Sequence, residues 1–199
     1  MAARIVIFAK EPVAGWVKTR LIPALGAEGA AELARSMLAR TVAEAVASGL
    51  KVELCGEPDA ATWFEGVVSK SAQGGGGLGE RLARAAERVV AGGEQVLLIG
   101  ADCPELDAGR LQAAAEALEE VDAVIHPAAD GGYVLLGLRR FDRSVFEGVA
   151  WSTDAVCAQT LERVRALGWS VRVLETLRDV DEVADLAAVD VSPPFAPGA

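Results

Sequence analysis

Ala3-Arg4-Ile5-Val6-Ile7-Phe8-Ala9 runs directly into Lys10-Glu11-Pro12-Val13-Ala14-Gly15-Trp16-Val17-Lys18-Thr19-Arg20-Leu21. The first stretch is a short apolar run of buried-strand character. The second is a loop, with Pro12 and Gly15 as chain-turners between three cations: Lys10, Lys18 and Arg20. In open α/β sheets, ligands sit just beyond the carboxyl ends of the strands. Lysine offers phosphate a point charge and arginine a planar fork. A strand that ends in this loop therefore predicts an α/β sheet with a phosphate-bearing ligand at the exit of its first strand.

The remainder of the chain alternates in the same way. Leu33, Met37, Leu38, Val42, Ala45 and Val46 fall at helical spacing within 28–47. Lys51–Cys55 reads as a second strand, Asp59–Phe64 as a short helix, and Val67-Val68 as a brief third strand. Leu78–Val90 is amphipathic on Leu78, Leu82, Ala86 and Val89, and Val96–Gly100 is the clearest buried strand. Asp107 is placed to cap a helix running to Leu118. Ala123–His126 and Tyr133–Leu138 have no helix between them and so are expected to pair antiparallel. Ser152 or Thr153 is expected to cap the next helix. Trp169–Leu174 reads as a late strand and 181–188 as a last helix. The order implies one α/β domain over 1–191, a three-layer α/β/α arrangement around a mixed, mostly parallel sheet. Residues 192–199, rich in proline, read as a loose tail.

Composition narrows the partners. The 199 residues carry a net charge of −10, which argues against a polymeric nucleic acid and against anionic lipid. The cations of the first loop are then a local exception, suited to a small anion. No apolar run is long enough to span a bilayer, and Met-Ala-Ala-Arg leads straight into a strand pattern. A cytoplasmic protein is the expectation. Cys55, Cys103 and Cys157 show no Cys-x-x-Cys spacing, so neither a disulfide framework nor a zinc site is expected.

Several further positions carry chemistry. Val96–Ile99 leads through Gly100-Ala101 to Asp102, then Cys103-Pro104. A bare carboxylate at the end of a core strand is costly unless paired or liganded. Mg²⁺ uses such sites, with one or two carboxylates, waters and substrate phosphates. Asp130-Gly131-Gly132-Tyr133 is either a tight turn or a place where backbone approaches a ligand, with Asp130 bonding a sugar hydroxyl or serving as a base. Asp179 and Glu182 have capping-box spacing, and Asp181 is also placed to cap; either aspartate would be a second metal carboxylate if brought beside Asp102. Gly74–Gly77 precedes a helix but lacks the Gly-Lys-Ser/Thr of a Walker loop. Trp151 either stacks on a ligand or staples its helix to the core. His126, the one histidine, has no Ser-His-Asp setting.

Together these stretches resemble the nucleotide-diphospho-sugar transferase superfamily of GT-A fold, and within it the bacterial DUF2064 family. The motifs are F-A-K-E-P-V-A-G-W-V-K-T-R-L from Phe8, L-G-E-R-L from Leu78, G-A-D-C-P-E-L from Gly100, D-G-G-Y-V-L-L-G-L from Asp130, W-S-T from Trp151 and D-V-D-E-V-A-D-L from Asp179. The Lys-Thr-Arg-Leu element is also similar to the start of 2-phospholactate guanylyltransferases. The resemblance implies a nucleotide pocket on the first loop (Lys10, Gly15, Lys18, Arg20), with Lys18 and Arg20 on the phosphates and Lys18 taking part in catalysis. It implies a Mg²⁺ or Mn²⁺ ion on Asp102 and Asp181 (or Asp179). Asp130 would be the catalytic carboxylate on the acceptor side, with Gly131, Gly132 and Trp151 around the sugar or acceptor. Family members often carry an acidic residue where this chain has Gly77, and threonine where it has Glu182.

Three functions follow as expectations. The first is a metal-dependent transferase using a nucleotide-diphospho-sugar donor and a small acceptor. The second is a nucleotidyltransferase that joins the nucleotide of a nucleoside triphosphate to a small phosphorylated acceptor and releases pyrophosphate. The third is a nucleotide-binding protein without turnover.

Overall fold

Every strand at the centre of the sheet is apolar on both sides. Val96, Leu97, Leu98 and Ile99 are all at most 3% exposed, as expected of strands covered on both faces by helices. The computed structural model describes residues 1–66 and 68–188. The expected tail at 192–199, the domain end at 191 and half of the Val67-Val68 strand lie outside the described residues.

Seven strands form one sheet: β1 (Ala3–Lys10), β2 (Lys51–Glu57), β3 (Ser69–Ala72), β4 (Gln95–Ile99), β5 (Ala123–Pro127), β6 (Tyr133–Leu138) and β7 (Val171–Val173). Their order is β3-β2-β1-β4-β6-β5-β7. Only β6 runs against its neighbours, β4 and β5; the other pairings are parallel. Side-chain alternation divides the core in two. Ile5 and Ile7 of β1 join Leu38 of α1 (Ile22–Ala47) and Leu111, Ala114 and Leu118 of α3 (Ala108–Glu120) on one face. Val6 joins Leu82, Ala86 and Val89 of α2 (Leu78–Ala91) and Val164 of α4 (Val156–Ala166) on the other. The expected three-layer α/β/α arrangement is thus present. No described helix is long and apolar enough to cross a membrane.

Some local expectations are corrected. Helix α1 begins at Ile22, not at 28. Pro23 sits in its first turn, where a missing N–H costs nothing, and Gly26 (φ 71°, ψ 167°) breaks the helix. Strand β3 is Ser69–Ala72, a polar edge strand without an apolar pattern. The late strand shortens to Val171–Val173. Asp59 caps only a single 3₁₀ turn, Ala60–Thr62. Ser152 adopts φ 66°, so the chain is still turning there and α4 starts at Val156 with no side-chain cap. The last helical segment is a 3₁₀ turn, Val183–Ala188, and its expected caps are not used. Asp185 Oδ2 instead accepts the N–H groups of Asp181 and Glu182 at 3.0 and 2.7 Å, leaving the Asp179 and Asp181 side chains free for other contacts.

A third, small apolar cluster positions the functional region. Leu21, Ala30, Met37 and Val180 are at most 5% exposed and pack together. They clamp the end of the first loop and the start of α1 to the segment after β7. The Val180 N–H then donates to the Asp102 carbonyl at 2.9 Å, fastening that segment to the exit of β4.

Candidate active site

This clamp brings three charged groups from distant parts of the chain together. Lys18, in left-handed conformation (φ 47°), directs Nζ to Asp102 Oδ1 at 2.5 Å and Asp181 Oδ1 at 2.8 Å. It also donates to the Val180 carbonyl at 2.7 Å. The lysine side chain is 6% exposed, whereas the two carboxylates are 49% and 45% exposed. Burial works against the ammonium charge, but Asp102 and Asp181 outweigh it and Lys18 is held above its usual pKa. Nearby, burial and then the charges of Asp130, Asp181 and Asp102 push the Asp179 carboxyl up to about 6. Sequence reasoning has no means of pairing Lys18 with the aspartates, because the contact depends on the Leu21–Val180 packing.

Two adjoining cavities, of roughly 600 and 490 Å³, open beyond β1 and β4. These volumes fall in the usual range of ligand sites. Phe8, Arg20, Leu78, Ser152 and Asp181 line both. The first lobe holds Lys10, Lys18 and Arg20 of the first loop, together with Asp102. The second holds Asp130, Gly132, Tyr133, Trp151 and Asp154. Most residues singled out in the sequence therefore stand around one two-lobed cleft. Gly15 and Gly131 line neither lobe. A Cβ on Gly131 (φ 92°) would lie 2.2 Å from the Asp154 carbonyl oxygen, so this glycine is used for a close backbone approach inside the protein. Asp130 Oδ1 accepts the Gly132 N–H at 2.8 Å, the turn geometry expected of Asp-Gly-Gly. Trp151 both lines the second lobe and packs on the core.

One residue beside the cleft is not apparent from the sequence. Gln73 Nε2 donates to the carbonyls of Ala9 and Cys55, both at 3.1 Å, and ties together the ends of β1 and β2 beneath the first lobe. Arg81 pairs with Glu57 at 2.6 Å in the lobe wall. Trp16, 78% exposed, stands at its edge. Side chains of the following helix hold the glycine run: Arg84 and Arg81 donate to the carbonyls of Gly75 and Gly76, and Glu80 accepts the Gly77 N–H. Burial pushes the Cys103 thiol up to about 11, which suits a packing role. His126 is buried, its Nδ1 2.8 Å from the Glu175 carbonyl oxygen, and reaches neither lobe.

The family model described as "Uncharacterized protein conserved in bacteria (DUF2064)" matches residues 37–153, more than half of the chain. The chain belongs to the DUF2064 family. Among solved structures, it is similar to a "putative nucleotide-diphospho-sugar transferase" from Desulfovibrio desulfuricans G20. The two are 34% identical with a TM-score of 0.87, over 94% of this chain and 85% of that one. More distant likenesses extend the fold alone. One is the 2-C-methyl-D-erythritol 4-phosphate cytidylyltransferase of Thermus thermophilus, at 19% identity and a TM-score of 0.56 over 94% of this chain and 97% of that one. Another is Rv0371c from Mycobacterium tuberculosis H37Rv in complex with manganese, at 19% identity and 0.52 over the same shares. No curated protein matches in sequence. This DUF2064 protein thus has an α/β fold of the nucleotidyltransferase and GT-A kind.

Proposed function

We propose that this DUF2064 protein is a divalent-metal-dependent transferase. It takes a nucleotide-diphospho-sugar donor in the first lobe and passes the sugar to a small acceptor in the second. The observation that carries the reading is the sorting of charge around the shared cleft. Lys18 is committed to two carboxylates and Arg81 to Glu57. Lys10 makes no ion pair among the described residues, and Arg20 meets only the exposed Glu182 at 3.7 Å. Two available cations suit a diphosphate better than a triphosphate. The name of the Desulfovibrio relative supports the same class.

The carboxylates fit a divalent ion. Among the described residues, no three acidic, histidine or cysteine side chains converge closely enough to cage one alone. Asp102 and Asp181 form the pair that Mg²⁺ takes when water and phosphate oxygens complete its shell. Bound there, the ion would offset negative charge on the leaving diphosphate. Lys18 holds the two carboxylates side by side. Arg20, in the wall of both lobes, is placed to bond the leaving phosphate where charge develops. Asp130 receives the proton of the attacking acceptor hydroxyl.

The deciding experiment incubates the protein with nucleotide-diphospho-sugars and with nucleoside triphosphates, each with Mg²⁺ or Mn²⁺, and identifies the product. Metal-dependent release of a nucleoside diphosphate from one sugar donor is expected. Pyrophosphate from a triphosphate would replace the reading with nucleotidyl transfer. Thermal stabilisation by a nucleotide with neither product would indicate binding without turnover.

A further inference from the structure

The second lobe has a composition of its own. Its floor is apolar: Leu82, Leu98, Val134 and Val156 line it, each at most 7% exposed. Tyr133 lines it as well, and its buried hydroxyl has no hydrogen-bond partner within the described residues. That hydroxyl is enclosed in the core and is not open to the lobe, so Tyr133 presents the lobe with apolar surface. The charged residues of the lobe are Asp130, Asp154, Asp181 and a single cation, Arg20. Asp181 is answered by Lys18. Neither Asp130 nor Asp154 makes an ion pair among the described residues, so the field over the apolar floor is negative.

We propose that this lobe takes an acceptor with an apolar body and a hydroxyl group, carrying no phosphate or carboxylate. The proposal rests on the transferase reading above and specifies the acceptor class for it. In the transfer, the acceptor oxygen forms a bond to the anomeric carbon of the donor sugar as the bond from that carbon to the phosphate oxygen breaks. The electron pair leaves with the nucleoside diphosphate, and the hydroxyl proton passes to the Asp130 carboxylate. A phosphorylated or carboxylated acceptor would set like charges against Asp130 and Asp154, a strong element of selection.

Three phenols of one skeleton test this on the full chain: tyrosol (neutral), tyramine (cationic) and 4-hydroxyphenylacetate (anionic). Dissociation constants are measured by ligand-observed NMR without donor. Tyrosol and tyramine are expected to bind at least about tenfold more tightly than the anion, as like-charge opposition demands. Asp154→Lys, at an exposed position, is expected to narrow or reverse that order. Equal or tighter binding of the anion by the unmodified protein, no binding of any phenol, or an order indifferent to Asp154→Lys overturns the proposal. Thermal shifts with nucleotide-diphospho-sugars on the same sample keep the two readings apart. A donor shift without the phenol order removes the acceptor proposal alone. The phenol order without any donor shift removes the transferase reading and leaves the chemistry of the lobe standing.

Discussion

Lys18 Nζ lies 2.5 Å from Asp102 Oδ1, with the lysine side chain 6% exposed and the aspartate 49% exposed. This asymmetry predicts unequal effects of removal. Lys18→Met removes the counter-charge of Asp102 and Asp181 and leaves the carbonyl of buried Val180 without its donor, and should cost roughly 1–3 kcal/mol. Asp102→Asn leaves Lys18 still paired with Asp181 and should cost less. Urea denaturation of both variants at pH 7 measures the difference. Equal losses would show that Lys18 is not the hub of this contact.

The same carboxylates carry the proposed ion. Asp102→Asn and Asp181→Asn should each weaken Mn²⁺ binding by at least the roughly 10–100-fold that loss of an outer-shell partner brings. Manganese titration by paramagnetic broadening of NMR signals reads this without reference to turnover. Unchanged affinity in both variants would remove these two residues as ligands.

Glu53 gives a pH-dependent prediction away from the cleft. Its side chain is 3% exposed and meets Arg88 at 3.0 Å, Arg4 at 3.5 Å and the Ser71 hydroxyl at 2.5 Å. Burial raises its pKa, but the Arg88 and Ser71 hydrogen bonds and the charges of Arg88 and Arg4 outweigh it and hold the carboxyl below its ordinary value of 4.5. A depressed folded pKa means the unfolded chain takes up the proton first. The stabilisation is therefore complete above pH 4.5 and is lost as pH falls through the lower folded value. Glu53→Gln should cost about 1–3 kcal/mol at pH 7 and flatten the acid limb of stability. Urea midpoints between pH 7 and pH 3 check both.

His126 acts in a different window. A carbonyl only accepts, so Nδ1 donates to the Glu175 carbonyl. Burial first, with the Arg110 charge in support and the Glu175 contact opposing, lowers its pKa from 6.5. The His126 contribution to stability should thus decline as pH falls below 6.5 towards the folded value, against the opposite slope of Asp179, whose carboxyl is raised to about 6, while Glu53 still contributes in full. His126→Asn should remove this decline, measured by urea midpoints from pH 7.5 to pH 5. A decline of the same slope in the variant would assign it to other groups.

The legible parts of this fold are those that local pattern determines. The apolar run from Val96 to Ile99, the periodicity of α2 and the helix-free link between β5 and β6 set the layers and the antiparallel strand. Strand β3 is misplaced by sequence reading because an edge strand of Ser69-Lys70-Ser71-Ala72 has no apolar alternation. The start of α1 is missed because Pro23 reads equally as loop or first turn. Within the cleft, strand-end reasoning finds Asp102 and the first loop. It does not find the capture of Lys18 by the aspartates, nor the capping of the last turn by Asp185 that frees Asp179 and Asp181. The first depends on Val180 packing against Leu21, far away in sequence; the second is a local contact that capping-box spacing at Asp179 and Glu182 does not predict. Asp154 carries no motif at all, and its place in the second lobe follows from the close approach of Gly131.

That approach is itself testable against a built-in control. Gly131 (φ +92°) and Gly15 (φ +83°) both occupy the left-handed region, where a side chain costs about 1–2 kcal/mol. A Cβ on Gly15 would meet nothing within 4 Å, whereas one on Gly131 would lie 2.2 Å from the Asp154 carbonyl oxygen. Gly15→Ala should therefore lose only the backbone term. Gly131→Ala should lose that and the clash, at least about 2 kcal/mol in all, and lower the melting temperature by roughly 4–8 °C for a domain of this size. It should also displace Asp154 and so weaken the discrimination against anionic ligands in the second lobe. Calorimetry on the two variants reads the first effect and the phenol series the second. Equal melting temperatures for Gly15→Ala and Gly131→Ala would mean that the Asp154 segment yields freely and that the wall of the second lobe is not fixed by this contact.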